Sequence, residues 1–159
     1  MKNQKLNLAK STNYKLVLGA LPGVDLWLKT CMLPTISANE VPVPHPFLGN
    51  EYIPSNTMVW APLMVTFLVD EDLENYNSVF EWMAKAAGPN LEDREALENL
   101  QTTASLHILS NNKNTTGLKY TFHNSFPIIL GELQFNNETA EELLTDITLQ
   151  FDYMTIDRS

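Results

Sequence analysis

The sequence predicts a mainly antiparallel β fold with one packed helix, and three observations predict it. Residues 57–69 form a long run of β-branched and large apolar residues that reads as an extended strand, and the apolar period then changes. Leu73, Tyr76, Val79, Phe80, Met83, Ala84 and Ala87 recur at three- and four-residue steps, which predicts an amphipathic helix ended by Gly88-Pro89. Residues 104–109 and 117–122 bracket a Ser/Asn/Thr-rich stretch, so they predict a hairpin, and residues 145–156 alternate as a closing strand.

The chain has 159 residues and a net charge of −9, enough length for one domain with a core of its own. Lys2, Lys5, Lys10 and Lys15 give the first fifteen residues +4, so the remainder carries −13. Residues 1–12 read as a flexible polar arm, and residues 13–159 as a single β domain. An acidic body repels phosphates, which argues against ordinary nucleic-acid binding. The single cysteine, Cys31, excludes an internal disulfide and reads as a small buried hydrophobe. The N-terminus lacks the apolar core of a signal peptide and no run is long and apolar enough for a membrane anchor, so cytoplasmic synthesis is expected.

In chain order, residues 13–18 and 24–32 flank a Gly/Pro turn and predict a first hairpin. Residues 33–55 contain Pro34, Pro42, Pro44, Pro46 and Pro54, which exclude a helix or a central strand. The segment reads as a long loop held by a neighbour, with a short extended piece at 49–53. In the strand at 57–69 neither set of alternate residues is polar, so one face needs cover beyond the domain's own core. Pro62 predicts an edge or bulge within it. Asp70, Glu71 and Asp72 are placed to complement the first turn of the helix. Residues 90–100 read as a short surface helix or an ordered loop, and residues 126–131 as an apolar loop that needs a partner. In the closing strand Ile147, Leu149, Phe151 and Tyr153 are expected to face the core, and Asp146, Thr148, Gln150 and Asp152 water.

Catalytic patterns are missing from the sequence. It has no Walker loop, dinucleotide fingerprint, nucleophile elbow, or His/Cys spacing for zinc, so neither a metal nor a cofactor is expected. His45, His107 and His123 stand apart from one another. His123 reads as a hydrogen-bonder rather than a base. The acids collect at a helix start and on a strand's wet face, where solvation accounts for them.

Several stretches together resemble the tail tube proteins of contractile-tailed bacteriophages: residues 21–24, 33–34 and 44–47, the strand at 60–69 with Asp70 and Glu71, residues 76–82 and 122–127, and the closing strand. The resemblance runs from about residue 13 to 156. It implies two packed antiparallel sheets, as a sandwich or small barrel, with one flanking helix. It also implies hexameric rings whose inner strands close a β-barrel, stacked into a hollow tube for genome ejection. The partners it implies are further copies of the chain, the tail sheath, the baseplate and the tape-measure protein, with DNA passing through unbound, in a virion tail assembled in the host cytoplasm. On this reading Asp146, Thr148, Gln150 and Asp152 are the expected channel-lining residues. Trp60, Met64, Leu68, Pro44, Phe47, Phe126 and Pro127 are the expected interface between copies. The main expectation is the repeated tube subunit. The alternatives are a baseplate tube initiator or a tail terminator of the same fold, or a monomeric β-sandwich binding module.

Overall fold

The structure is a computed structural model and describes residues 12–22, 27–89, 100–110 and 115–158. Its elements are β1 (Tyr14–Leu18), β2 (Trp27–Met32), β3 (Ile36–His45), β4 (Gly49–Trp60), β5 (Leu63–Leu68), α1 (Glu74–Ala87), β6 (Thr102–Leu109), β7 (Thr115–Leu130), β8 (Leu144–Gln150) and β9 (Tyr153–Arg158). All pairings are antiparallel.

The fold turns on β7, whose two halves belong to different sheets. Residues 118–123 pair with β9, and the same half pairs with β6, which continues to β1. Residues 126–130 pair with β8, which continues through β5 to β2. Because β8 and β9 follow each other along β7, this two-strand ribbon bends from one sheet into the other. At the bend Asn124 takes a left-handed conformation (φ 55°), which asparagine tolerates better than most residues. Its side-chain amide donates to the Asp152 carboxylate at 2.7 Å, and the Asp152 N–H donates to the His123 carbonyl at 3.0 Å.

The two sheets pack face to face as a sandwich. Ala104, Leu106, Phe122 and Met154 from the first meet Leu63, Val65, Phe67, Ile147 and Leu149 from the second. Phe151 sits at the corner, edge-on to Phe122 with ring centroids 5.0 Å apart. Helix α1 adds Val79 and Trp82 to this core. The indole N–H of Trp82 donates to the Leu100 carbonyl at 3.1 Å, satisfying a polar group that burial would otherwise penalise.

Several expectations need correction. The segments at 13–18 and 24–32 do not pair with each other: β1 pairs with β6 and β2 with β5, so the Gly/Pro stretch is a crossover between sheets. Residues 24–26 of the second segment lie outside the described residues, as do residues 1–11 of the expected arm and nearly all of the segment at 90–100, of which Leu100 alone is described and is buried. The strand expected at 57–69 is broken at Ala61-Pro62, where the missing proline N–H ends one ladder before β5 begins another. The proline-rich loop is instead a hairpin, β3–β4, forming a two-stranded sheet of its own. Its prolines fit because both strands are edges.

Asp70, Glu71 and Asp72 do not cap α1; they form the turn before it. Leu73 is the N-cap, in a left-handed conformation and without a side-chain cap bond. The helix start is held by Asn75, whose amide donates to the Leu68 carbonyl at 2.8 Å and whose oxygen accepts from the Asp70 N–H. Gly88 closes the helix as expected, its N–H reaching the Ala84 carbonyl. The apolar loop expected at 126–131 is the end of β7, with a bulge between Pro127 and Ile129. Gly131 follows, its N–H donating to the Asp146 carbonyl at 2.6 Å. A Cβ there would fall against the Asp146 carboxylate and force it to swing aside, so glycine lets the two strands approach closely with that side chain in place. The closing strand is interrupted at 151–152, which reverses its phase: Met154 is buried and Tyr153 exposed.

Candidate assembly surface

The second sheet has one face in the core and one face outside. Strand alternation sends Leu63, Val65 and Phe67 of β5 and Ile147 and Leu149 of β8 inward, so Met64, Thr66, Leu68, Asp146, Thr148 and Gln150 share the outer face. The pairing extends this face across all four strands. Met32, Met64, Thr148 and Ile129 lie in one row, and Thr30, Thr66 and Asp146 in the next. Met32 is 63% exposed, Met64 46% and Ile129 54%, so the row is an open apolar band on an acidic molecule.

Both ends of this sheet are open. Among the described residues β2 pairs only with β5, and residues 126–130 of β7 pair only with β8. β6, which flanks the earlier part of β7, begins opposite Ser125 and leaves the rest uncovered. Unpaired strand edges of this kind are templates for another chain.

The β3–β4 hairpin is a third uncovered feature. All ten residues of β3 are exposed, and Pro46, Phe47 and Leu48 form the tip, where Phe47 is 91% exposed. An isolated two-stranded hairpin is marginal in water, so apolar residues on both its faces require a neighbour.

The expected interface residues therefore separate. Phe47 and Pro44 lie on the exposed hairpin, Met64 and Leu68 on the outer sheet face, and half-buried Phe126 at an open edge. Trp60 is half-buried against its own chain, with its ring 6.3 Å from that of Phe151, and Pro127 is buried in its own chain opposite Leu149. Of the four expected channel residues, Asp146 and Gln150 share the outer face with Thr148, which is buried between β5 and the end of β7. Asp152 stands apart at the bend, bonded to Asn124. Sequence reasoning missed Met32 and Ile129. The bulge near Lys29 puts Leu28 and Cys31 on the same side of β2, which simple alternation places on opposite sides.

Among the described residues the titratable groups do not converge on a reactive centre. His107 lies between Lys15 and Lys119 in the register. His123 bonds the Thr155 hydroxyl at 2.9 Å and stacks on Tyr153 with centroids 4.4 Å apart, so it does serve as a hydrogen-bonder. Burial pushes the Cys31 thiol up to about 11 and so keeps it protonated and unreactive near neutrality. Among the described residues no group of His, Cys, Asp or Glu could hold a metal ion, and no helix is long and apolar enough to cross a membrane. A surface cavity of about 420 Å³ is lined by residues 134–136 and 139–144, without a histidine or cysteine.

Open sheet edges and an exposed hairpin define a β protein with surface left over for contact with other chains. The chain belongs to the phage tail tube protein family, whose model matches residues 6–157. That makes it a structural, non-enzymatic component of a phage tail. It is 25% identical over 138 residues to the tail tube terminator protein of Enterobacteria phage T4, covering 78% of each chain. Its fold is similar to that of the tube-terminating cap of the anti-feeding prophage, with a TM-score of 0.73 at 14% identity over 96% of this chain and 92% of that one. It is also similar in fold to a chain of an extracellular contractile injection system solved as its sheath/tube terminator, with a TM-score of 0.70 at 12% identity over 94% and 96% of the two chains.

Proposed function

We propose that this protein forms the ring that terminates a contractile phage tail tube. Ring closure would join β2 of one copy to residues 126–130 of the next. The strands of the outer sheet alternate in direction from β7 to β2, so such a junction continues the antiparallel order. A closed ring also removes the edge hazard. Six copies supply roughly two dozen strands. At a spacing of about 4.8 Å and a tilt of about 40°, they enclose about 45–50 Å between backbones, leaving room for a DNA duplex inside the side chains.

In this arrangement Met64, Leu68, Asp146, Thr148 and Gln150 face the lumen, with Asp152 near its rim. Asp146 repeats as a ring of carboxylates that repels the DNA phosphates and so limits sticking. The hairpin with Pro44 and Phe47 reaches a neighbouring copy or the adjacent ring, and Phe126 lies at the junction between copies. Trp60 and Pro127 support those contacts from beneath. The sheath, baseplate and tape-measure protein remain proposed partners.

The observation that favours the tube end over the repeated subunit is the similarity to the T4 tail tube terminator, which extends over most of both chains. Copy number distinguishes the two positions. Quantitative mass spectrometry of purified tails is expected to give one ring, about six copies per particle. A copy number many times larger, growing with tail length, would make the chain the repeated subunit instead.

A further inference from the structure

Charge is unevenly divided between the two sheets. The strands that build the first sheet, β1, β6, β7 and β9, hold Lys15, Lys119 and Arg158 against one carboxylate, Asp157, in a chain whose net charge is −9. The register gathers these groups at one end. Lys15 stands opposite His107, His107 opposite Lys119, and Lys119 opposite Asp157, with Arg158 next along β9. Tyr14 and Leu16 pack against the core, so alternation turns Lys15 outward, where it is exposed.

This end of the first sheet lies beside β2. Leu28 and Cys31 of β2 pack against the same core as Tyr14 and Leu16, and burial, then the neighbouring Cys31, raise the Tyr14 phenol above its ordinary value. β2 is one open edge of the second sheet among the described residues. The other, residues 126–130 of β7, runs directly into Gly131 and the exposed Glu132.

We propose that Lys15 and Lys119 form a cationic strip that docks on the Glu132 carboxylate of the next copy in the ring. The inference rests on the ring reading above. Where β2 of one copy meets residues 126–130 of the next, the strip stands on one side of the junction and Glu132 on the other. A second copy is the occupant that fits, because the strip adjoins the edge through which copies join and the chain carries a surplus of carboxylates. The strip also does something that backbone pairing cannot. Two strand edges can pair in several registers with nearly the same ladder, whereas a charge pair outside the ladder favours one of them.

The test uses the full-length protein and reads the ring-to-monomer equilibrium by sedimentation velocity over a concentration series at fixed ionic strength. Lys15→Glu combined with Lys119→Gln is expected to raise the concentration needed for rings about tenfold or more. Glutamine is used at position 119 because a carboxylate there would oppose Asp157. Lys15→Gln alone, which adds no charge, is expected to give a smaller loss in the same direction. Glu132→Lys is expected to weaken assembly by itself, and to restore a large part of it when added to Lys15→Glu, since the reversed pair attracts again. Circular dichroism should match the wild type throughout, because Lys15 and Glu132 are exposed. The inference is overturned if the double lysine variant assembles like the wild type, or if Glu132→Lys fails to relieve the defect of Lys15→Glu. Failure of the wild-type protein to form rings would refute the ring reading itself.

Discussion

A variant combining Met32→Asp and Ile129→Asp is expected to remain a folded monomer and to form no rings. Both residues are exposed at the open ends of the second sheet, so charging them costs the isolated domain little. In a closed ring the two ends meet, and the added carboxylates would repel each other where apolar contacts are otherwise formed. Sedimentation velocity reads the outcome as a shift from ring to monomer, with the circular dichroism spectrum of the folded domain retained. A double variant that still forms rings of normal size would mean that copies join elsewhere.

Phe122→Ala is expected to have the largest effect on the fold. Phe122 is fully buried at the meeting of the two sheets and packs edge-on against Phe151. Truncating a buried phenylalanine costs about 3–5 kcal/mol through lost transfer energy and the cavity left behind. That is a large part of the 5–15 kcal/mol by which domains are ordinarily stable. For a chain of this length the thermal midpoint should fall by about 10 °C or more. Calorimetry or denaturant titration checks it; a fall of only a degree or two would mean that the two sheets are not held through this contact.

The sequence made the regular elements legible where local pattern matched tertiary role. The period change near Leu73 located α1, and alternation in residues 104–122 located the hairpin of β6 and β7. What could not be read was pairing between distant strands and any phase shift created by a bulge or bend. The Gly/Pro stretch after β1 looks like a hairpin turn yet connects two sheets, because the partner of β1 lies some ninety positions downstream in β6. The bulge near Lys29 and the break at Phe151-Asp152 each change which residues share a face, moving Cys31 inward and Tyr153 outward. The proline-rich hairpin escaped notice because proline argues against a strand only where both edges are paired. The assembly face is thus a product of register, and only part of it, Met64, Asp146 and their alternate neighbours, lay within reach of pattern.

The most direct test of ring closure is a cryo-electron microscopy reconstruction of the purified assembly, read at the junction between adjacent copies. Closure through the second sheet predicts β2 of one copy hydrogen-bonded to residues 126–130 of its neighbour, with Met64 and Asp146 on the lumen wall. Subunits joined through other surfaces, with those two strands open to solvent or Asp146 on the outside of the ring, would contradict it.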